Sequence, residues 1–270
     1  MRSEGNSSQR KIHPKVRPKL RIIHHMARTG GTVISRCLAS MQSIVLLSEI
    51  HPLGMHRFNP LHQAHAWYGL LNSTELESAR GGQLNFPDAI QLIWRRCGDQ
   101  GKTLVLRDWS HLDYTGVPFT QPSYRSLLAE SLQSSFTLVR YSSVRHPLDQ
   151  WLSLAQLPAY RDRLGPSRFL RGASRFAESA VETGFIRFED FTRDSDRTLR
   201  QLCSGLELEF DPEYRDSWLA HTHITGDVLP GRAGANIAPL PRRPIGVAEQ
   251  RRFCSLPHYE LTTTRLGYVD

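Results

Sequence analysis

Short apolar runs alternate with segments of helical spacing along much of this chain, and this alternation constrains the fold more than any other feature. Five runs are typical of strands, and they begin at Leu20, Ser43, Thr103, Phe136 and Gly184. Segments between them carry apolar residues every three to four positions, as on one face of a helix. Strands that alternate with helices form a mainly parallel sheet. We therefore predict an α/β fold of three layers, with helices on both faces of a central, mainly parallel sheet.

Two stretches interrupt this alternation. Residues 51–87 contain Pro, Gly, Asn and several His and are predicted to be irregular, after which Asp88 is expected to cap a helix. Residues 222–246 are rich in Gly, Pro and Arg and are predicted to form a long loop, followed by a mostly helical end from Val247.

The composition is that of a globular protein, and most of the net charge lies at the N-terminus. Hydrophobic residues make up 39% of the 270 residues, which excludes a wholly disordered chain. The net charge is +8, and residues 1–21 hold seven basic residues against one acidic residue. We therefore predict a disordered basic arm over 1–19 and one domain over 20–270. Because the body is nearly neutral, the high pI does not predict a nucleic-acid-binding protein.

Several signals for location and metal binding are missing from the sequence. The N-terminus lacks the apolar segment of a signal peptide, and no apolar run approaches the roughly 20 residues that cross a bilayer. The four cysteines form no C-x-x-C pair and are too few for a disulfide scaffold. We expect a cytoplasmic protein without a membrane span. His56, His62 and His65 lack helical i, i+4 spacing, so no metal site is expected, and nothing indicates an oligomeric state.

The turn after the first strand has the parts of an anion-binding loop. Glycines let the backbone approach a ligand closely, and the first N–H groups of the following helix favour negative charge. A preceding cation and a hydroxyl complete the segment Arg28-Thr29-Gly30-Gly31-Thr32. No Lys follows the glycines, so the Walker A pattern of nucleoside triphosphatases is absent.

A second motif follows the fourth strand and opens a helix. Arg145 is expected to leave the strand end toward the crevice, while Ser153 lies one to two turns into the helix. Its hydroxyl could meet the same anion as Arg145. Alone, the pattern R-x-P-x5-S is also typical of a helix that begins beside a surface Arg.

Together these motifs resemble those of the sulfotransferases that use 3′-phosphoadenosine-5′-phosphosulfate (PAPS). Arg28–Thr32 is similar to that family's 5′-phosphosulfate loop, and Arg145–Ser153 matches its 3′-phosphate motif at the same spacing. Phe185–Phe191 resembles the later V-R-Y-E-D-L segment, and Phe210-Asp-Pro212 and Leu266-Gly-Tyr268 also fit. The resemblance runs from about Leu20 to Asp270 and leaves the middle, 51–100, unmatched.

The resemblance implies a fold related to nucleotide kinases and transfer of a sulfuryl group from PAPS to a hydroxyl or amine, without a metal. The acceptor would be a carbohydrate or another small molecule. The residues implied to bind the nucleotide are Arg28, Thr29, Gly30, Gly31, Thr32, Val33, Arg145 and Ser153, with Arg232 of the late loop as a looser match. Arg28 stands where the family usually has Lys. The Arg keeps the positive charge but lacks the compact ammonium group of Lys.

Sulfuryl transfer to a hydroxyl needs a general base near the sulfuryl group, and the candidates in this sequence lie at strand ends. Resemblance to uronyl 2-O-sulfotransferases and to glucosaminyl 3-O-type sulfotransferases leaves three candidates open: Asp108, Glu49 and His111. The pair His24 and His25 is a further option, although both lie inside a strand, where a packing role is expected. Arg28 is expected to stabilise the leaving phosphate in the transition state.

Two other classes of function remain open from the sequence. A nucleotide or small-molecule kinase shares the topology but would need the Walker Lys and a magnesium ligand. A non-catalytic interaction protein could use the basic arm to hold nucleic acid or an anionic membrane surface. The function predicted from both motifs is a PAPS-dependent sulfotransferase that needs no nucleic-acid partner.

Overall fold

A parallel sheet forms the centre of the molecule. The structure, a computed structural model, describes residues 17–82, 84–226 and 236–268. Within them, five strands pair in the order β2-β3-β1-β4-β5, all parallel. The strands are β1 (Lys19–His25), β2 (Ile44–Ile50), β3 (Thr103–Asp108), β4 (Thr137–Val144) and β5 (Phe185–Arg187).

Helices connect the strands and cover both faces of the sheet. They are α1 (Gly31–Ala39), α2 (Pro60–Tyr68), α3 (Ser73–Gly81), α4 (Phe86–Asp99), α5 (His111–Thr115), α6 (Leu127–Leu132), α7 (Pro147–Leu154), α8 (Pro158–Arg161), α9 (Pro166–Thr183), α10 (Phe188–Arg193), α11 (Ser195–Gly205), α12 (Tyr214–Ser217), α13 (Val247–Cys254) and α14 (Tyr259–Arg265). This arrangement confirms the predicted α/β fold.

The two faces of the sheet belong to different apolar cores because successive side chains of a strand point to opposite sides. Leu20 and Ile22 pack with α2, α3, α4 and α6, whereas Ile23 packs with α1 and α11. A third core joins the end of β4 to α7, α9, α13 and α14. Because all the described strands are parallel, their carboxyl ends, which carry the predicted motifs, lie at one edge of the sheet.

Residues 51–87 are more regular than the sequence analysis predicted. Asn59 caps α2, with Pro at its first position, and Asn72 forms a reciprocal capping box with Glu75 at the start of α3. Asp88 does not cap α4: the Asn85 side chain accepts from the Asp88 backbone N–H, so Asp88 lies in the first turn. The Pro and Asn that looked like loop residues are helix-start residues.

The long helix α9 was not predicted. Its apolar side chains fall on one face and bury Phe169, Phe176 and Ala180 among others. Gly172 permits close packing, because a Cβ there would lie 2.1 Å from the carbonyl oxygen of Tyr114. No helix in the described ranges is both long enough and apolar enough to cross a bilayer.

Candidate active site

The candidate site is a cleft of about 700 Å³ at the carboxyl edge of the sheet. Loops that follow β1, β2, β3 and β4 border it, which is where open parallel sheets bind their ligands. The sequence-predicted residues that line it are Arg28, Gly30, Gly31, Thr32, Val33, Glu49, Asp108, His111, Arg145 and Ser153.

The turn between β1 and α1 has an unusual backbone. Arg28 has φ 68° and Gly30 has φ 84°, both in the left-handed region. Such a conformation is strained for Arg and is found often at functional sites. No side chain of the described residues caps α1 at Gly30, so the first N–H groups of this helix stay available to a ligand.

The two glycines of this turn are required by close packing. A Cβ at Gly30 would lie 2.0 Å from the ring of Phe188, and one at Gly31 would lie 2.6 Å from the ring of His25. Thr29 differs from the other predicted residues because its Oγ1 donates to the Met26 carbonyl at 2.9 Å. Its buried side chain therefore closes the turn rather than lining the cleft.

The two sequence motifs meet directly. Arg28 Nε donates to Ser153 Oγ at 3.0 Å, and Arg145 Nη1 donates to the Arg28 carbonyl at 3.2 Å. The Arg145 guanidinium also lies 5.1 Å from the centre of the Phe188 ring, a cation–π contact. Residues more than a hundred positions apart thus form one cationic cluster beside the N-terminus of α1.

Glu49 reaches the cleft through an irregularity in β2. The register with β3 shifts between Leu47 and Ile50, where β2 holds one residue more than its partner, and Glu49 has φ 55°. Such bulges redirect side chains and recur beside active sites. Glu49 lines the cleft, with a side chain 10% exposed, and Oε1 lies 3.9 Å from Arg107 Nη2.

Arg107 connects Glu49 to its neighbours. Its Nε donates to His25 Nε2 at 2.6 Å, and its Nη1 donates to Ser48 Oγ at 2.9 Å and to the Thr225 carbonyl at 2.8 Å. Burial, and then the positive charge of Arg107, hold the pKa of His25 well below its ordinary value, so the imidazole is neutral. Arg107 therefore has a fixed position beside the Glu49 carboxylate.

Asp108 bonds to other residues of the protein through one carboxylate oxygen, Oδ2, while Oδ1 is buried and has no hydrogen-bond partner among the described residues. His24 Nδ1 donates to Oδ2 at 2.6 Å, and Ser110 Oγ donates to the same oxygen at 2.8 Å. Burial alone would raise the pKa of Asp108, but the hydrogen bonds from His24 and Ser110 outweigh it and leave this pKa below its ordinary value. His24 is oriented in turn by Arg140 Nε, which donates to His24 Nε2 at 3.0 Å.

His111 is neutral, and its tautomer follows from its neighbour. Trp109 Nε1 can only donate, and it lies 2.5 Å from His111 Nε2, so that nitrogen is unprotonated. Burial, and then the charge of Arg107, lower the pKa of His111 to about 3. The single proton of the ring therefore lies on Nδ1, so neither ring nitrogen of His111 offers a free lone pair to the proton of a substrate.

Not all predictions for the late loop fall on residues that the structure describes. Arg232 lies outside them. Arg242 borders the cleft and pairs with Asp149 at 2.9 Å. Residues 1–16 of the predicted arm also lie outside the described ranges. In the ranges that are described, no group of three His, Cys, Asp or Glu residues is placed to hold a metal ion.

Several lining residues were missed from the sequence. Tyr160, Phe58 and Arg57 border the cleft although no motif marks them. Their segments lie between strands, where spacing alone does not predict which side chains reach the sheet edge. Phe188 could have been found, because it lies inside the segment that resembles V-R-Y-E-D-L.

Comparison with known proteins supports this description at the level of the fold. No family model and no curated protein matches the chain. The sulfotransferase domain from the Synechococcus PCC 7002 olefin synthase superposes with a TM-score of 0.64 at 16% identity, over 97% of this chain and 100% of that one. The sulfotransferase domain from the curacin biosynthetic pathway gives 0.58 at 17% identity, over 90% and 100%. The chain therefore has the α/β fold of sulfotransferase domains.

Proposed function

We propose that this protein is a sulfotransferase that moves a sulfuryl group from PAPS to a hydroxyl group of a small-molecule acceptor. The observation that carries the proposal is the contact between the two motifs, in which Arg28 meets Ser153 and Arg145 meets the Arg28 carbonyl. The sulfotransferase domains of the same fold support it.

The residues of the cleft fit a nucleotide with phosphate at both ends. The N-terminus of α1 and Arg28 would hold the 5′ end, while Arg145 and Ser153 would hold the 3′-phosphate. Close packing at Gly30 brings the backbone of the turn against the Phe188 ring and leaves no room for a side chain there. When bound, PAPS supplies the sulfuryl group and a phosphate leaving group.

Arg28 stabilises the charge that develops on the departing phosphate oxygens. Its strained backbone and its hydrogen bond to Ser153 fix the guanidinium before any ligand arrives. A positive charge held in place beforehand lowers the barrier because little reorganisation is needed.

Glu49 is the general base in this proposal, and it accepts the proton of the acceptor hydroxyl on a carboxylate oxygen. Asp108 Oδ2 already accepts two hydrogen bonds. Its Oδ1 has no partner among the described residues, but the carboxylate is fully buried and is less accessible to an acceptor hydroxyl than that of Glu49. The unprotonated nitrogen of His111 is taken by Trp109. Glu49 differs from both because its carboxylate is partly exposed in the cleft and is held by Arg107 at its edge.

The first test is nucleotide binding by calorimetry. We expect 3′,5′-diphosphoadenosine to bind more tightly than ATP, and Arg145→Ala to weaken that binding about a hundredfold, because a charge-assisted phosphate contact is lost. Arg95→Ala, an exposed arginine outside the cleft, is the matched control and should bind normally. Tighter binding of ATP would favour the kinase alternative and contradict the proposal.

The second test is transfer of labelled sulfate from PAPS to a small-molecule extract of cells that express the protein. Glu49→Gln should lower turnover at least about a hundredfold and leave diphosphoadenosine binding intact, as expected for loss of a general base. Glu209→Gln removes an exposed carboxylate and should behave as the unchanged protein. Normal turnover of Glu49→Gln would exclude Glu49 as the base.

A further inference from the structure

The segment of residues 222–226, which follows α12 in the chain, reaches the carboxylate of Glu49. A Cβ at Gly226 would lie 2.8 Å from Glu49 Oε1, so the Cα–H bond of Gly226 in that direction points at this oxygen. Arg107 Nη2 approaches the same oxygen at 3.9 Å. Oε1 is therefore covered from two sides, whereas Oε2 accepts no hydrogen bond from a described residue.

This segment is fixed to β2 by a pair of hydroxyl groups. Ser48 Oγ lies 2.8 Å from Thr225 Oγ1 and accepts from the Thr225 N–H at 3.1 Å. Arg107 Nη1 donates to Ser48 Oγ at 2.9 Å and to the Thr225 carbonyl at 2.8 Å. A hydroxyl has two acceptor positions, and Ser48 uses both for these N–H donors. Its own proton is therefore donated to Thr225 Oγ1.

Burial makes these hydrogen bonds restrictive. Ser48 is 0% exposed and Arg107 is 5% exposed, so neither can exchange Thr225 for water. A second contact holds the same segment, since the His223 ring stacks on Trp67 of α2 at 5.8 Å between ring centres, with the planes 6° apart. Two contacts within three residues of Gly226 thus fix its backbone beside the Glu49 carboxylate.

We propose that Thr225 is a positioning residue, which holds Gly226 and Arg107 against Oε1 so that the proton of the acceptor hydroxyl goes to Glu49 Oε2. This inference rests on the proposed function, in which Glu49 is the base. In that step the acceptor oxygen forms a bond to sulfur, the bond from sulfur to the phosphate oxygen breaks, and Oε2 takes the proton. Thr225 does not line the cleft, so its effect on the reaction passes through Glu49.

The test is transfer of labelled sulfate from PAPS to the small-molecule extract by the full chain. Thr225→Val keeps the shape of the side chain but removes the acceptor of the Ser48 proton. It should lower turnover about tenfold, because a base displaced by a fraction of an ångström is poorly aligned. Thr225→Ser keeps the hydroxyl and should restore turnover. Thr222→Val is the matched control, because the exposed Thr222 hydroxyl bonds to no described residue.

The Glu49→Gln background separates a positioning role from a merely structural one. With no base to position, Thr225→Val should cause no further loss of turnover there. Diphosphoadenosine affinity, measured by calorimetry, should be the same in all variants and shows that they are folded. Ser48→Ala removes the same hydrogen bond from its other side. It should give a similar loss, again only where Glu49 is present, and it replaces Thr225→Val should that variant not fold.

Three outcomes would overturn the inference. They are full turnover in the folded Thr225→Val, failure of Thr225→Ser to restore turnover, and an equal loss with and without Glu49. Absence of transfer by the unchanged protein is a different result: it would contradict the proposed function itself, and this inference with it.

Discussion

Protonation of His111 should limit the stability of this protein in mild acid. The imidazole is buried, accepts from Trp109 and has a pKa lowered from 6.5 to about 3. Between these two values the unfolded chain binds a proton that the folded chain does not. Stability is therefore fully present above about pH 6.5 and falls as the pH is lowered toward 3.

Over most of this pH range, the loss of unfolding free energy depends only on how far the pH lies below the pKa of the unfolded imidazole. A pH of about 5 lies about 1.5 units below the ordinary pKa of the unfolded imidazole. This difference corresponds to about 2 kcal/mol of lost unfolding free energy. His111→Gln removes this proton and keeps a side chain that can accept from Trp109. The variant should therefore lose about 2 kcal/mol less than the unchanged protein between about pH 7.5 and pH 5.

Urea denaturation at both pH values measures this difference directly. Because the comparison uses each protein's own change with pH, any constant effect of the substitution cancels, as does the contribution of His25. Equal losses in the two proteins would refute the reasoning, since they would mean that His111 takes up the same number of protons folded and unfolded.

Three further substitutions test the geometry of the cleft. Gly30→Ala should abolish nucleotide binding or unfold the protein, because φ is 84° and the new Cβ would lie 2.0 Å from Phe188; calorimetry and thermal melting distinguish these results. Gly226→Ala should lower turnover, since its Cβ would lie 2.8 Å from Glu49 Oε1, and should also lower the melting temperature, because φ is 93° at this position. Asp108→Asn should lower the unfolding free energy by about 2 kcal/mol in urea, through weakened hydrogen bonds. A large loss of turnover with unchanged stability in this last variant would assign the base to Asp108 instead of Glu49.

Local sequence patterns determined much of the sheet and the anion-binding turn. Strand and helix periods are short-range properties, so the five strands and the turn at Arg28–Thr32 were predicted close to where they lie. Helices α2 and α3 were missed because Asn and Pro serve both turns and helix starts. The apolar spacing of α9 was present, in residues such as Phe169 and Phe176, and would have predicted that helix.

Our proposed choice of Glu49 among the candidate bases rests only on tertiary structure. Glu49, Asp108 and His111 are all polar residues near strand ends, and the sequence favours Asp108 and Glu49 about equally, with His111 close behind. What separates them is burial and bonding. The Asp108 carboxylate is fully buried and bonded by His24 at one oxygen, Trp109 donates to the unprotonated nitrogen of His111, and a bulge turns Glu49 into the cleft. A bulge depends on the register with a neighbouring strand, and a hydrogen-bond partner depends on residues distant in sequence. Neither is encoded in local spacing, and for the same reason the contact of Arg28 with a serine 125 residues away could only be seen once the chain was folded.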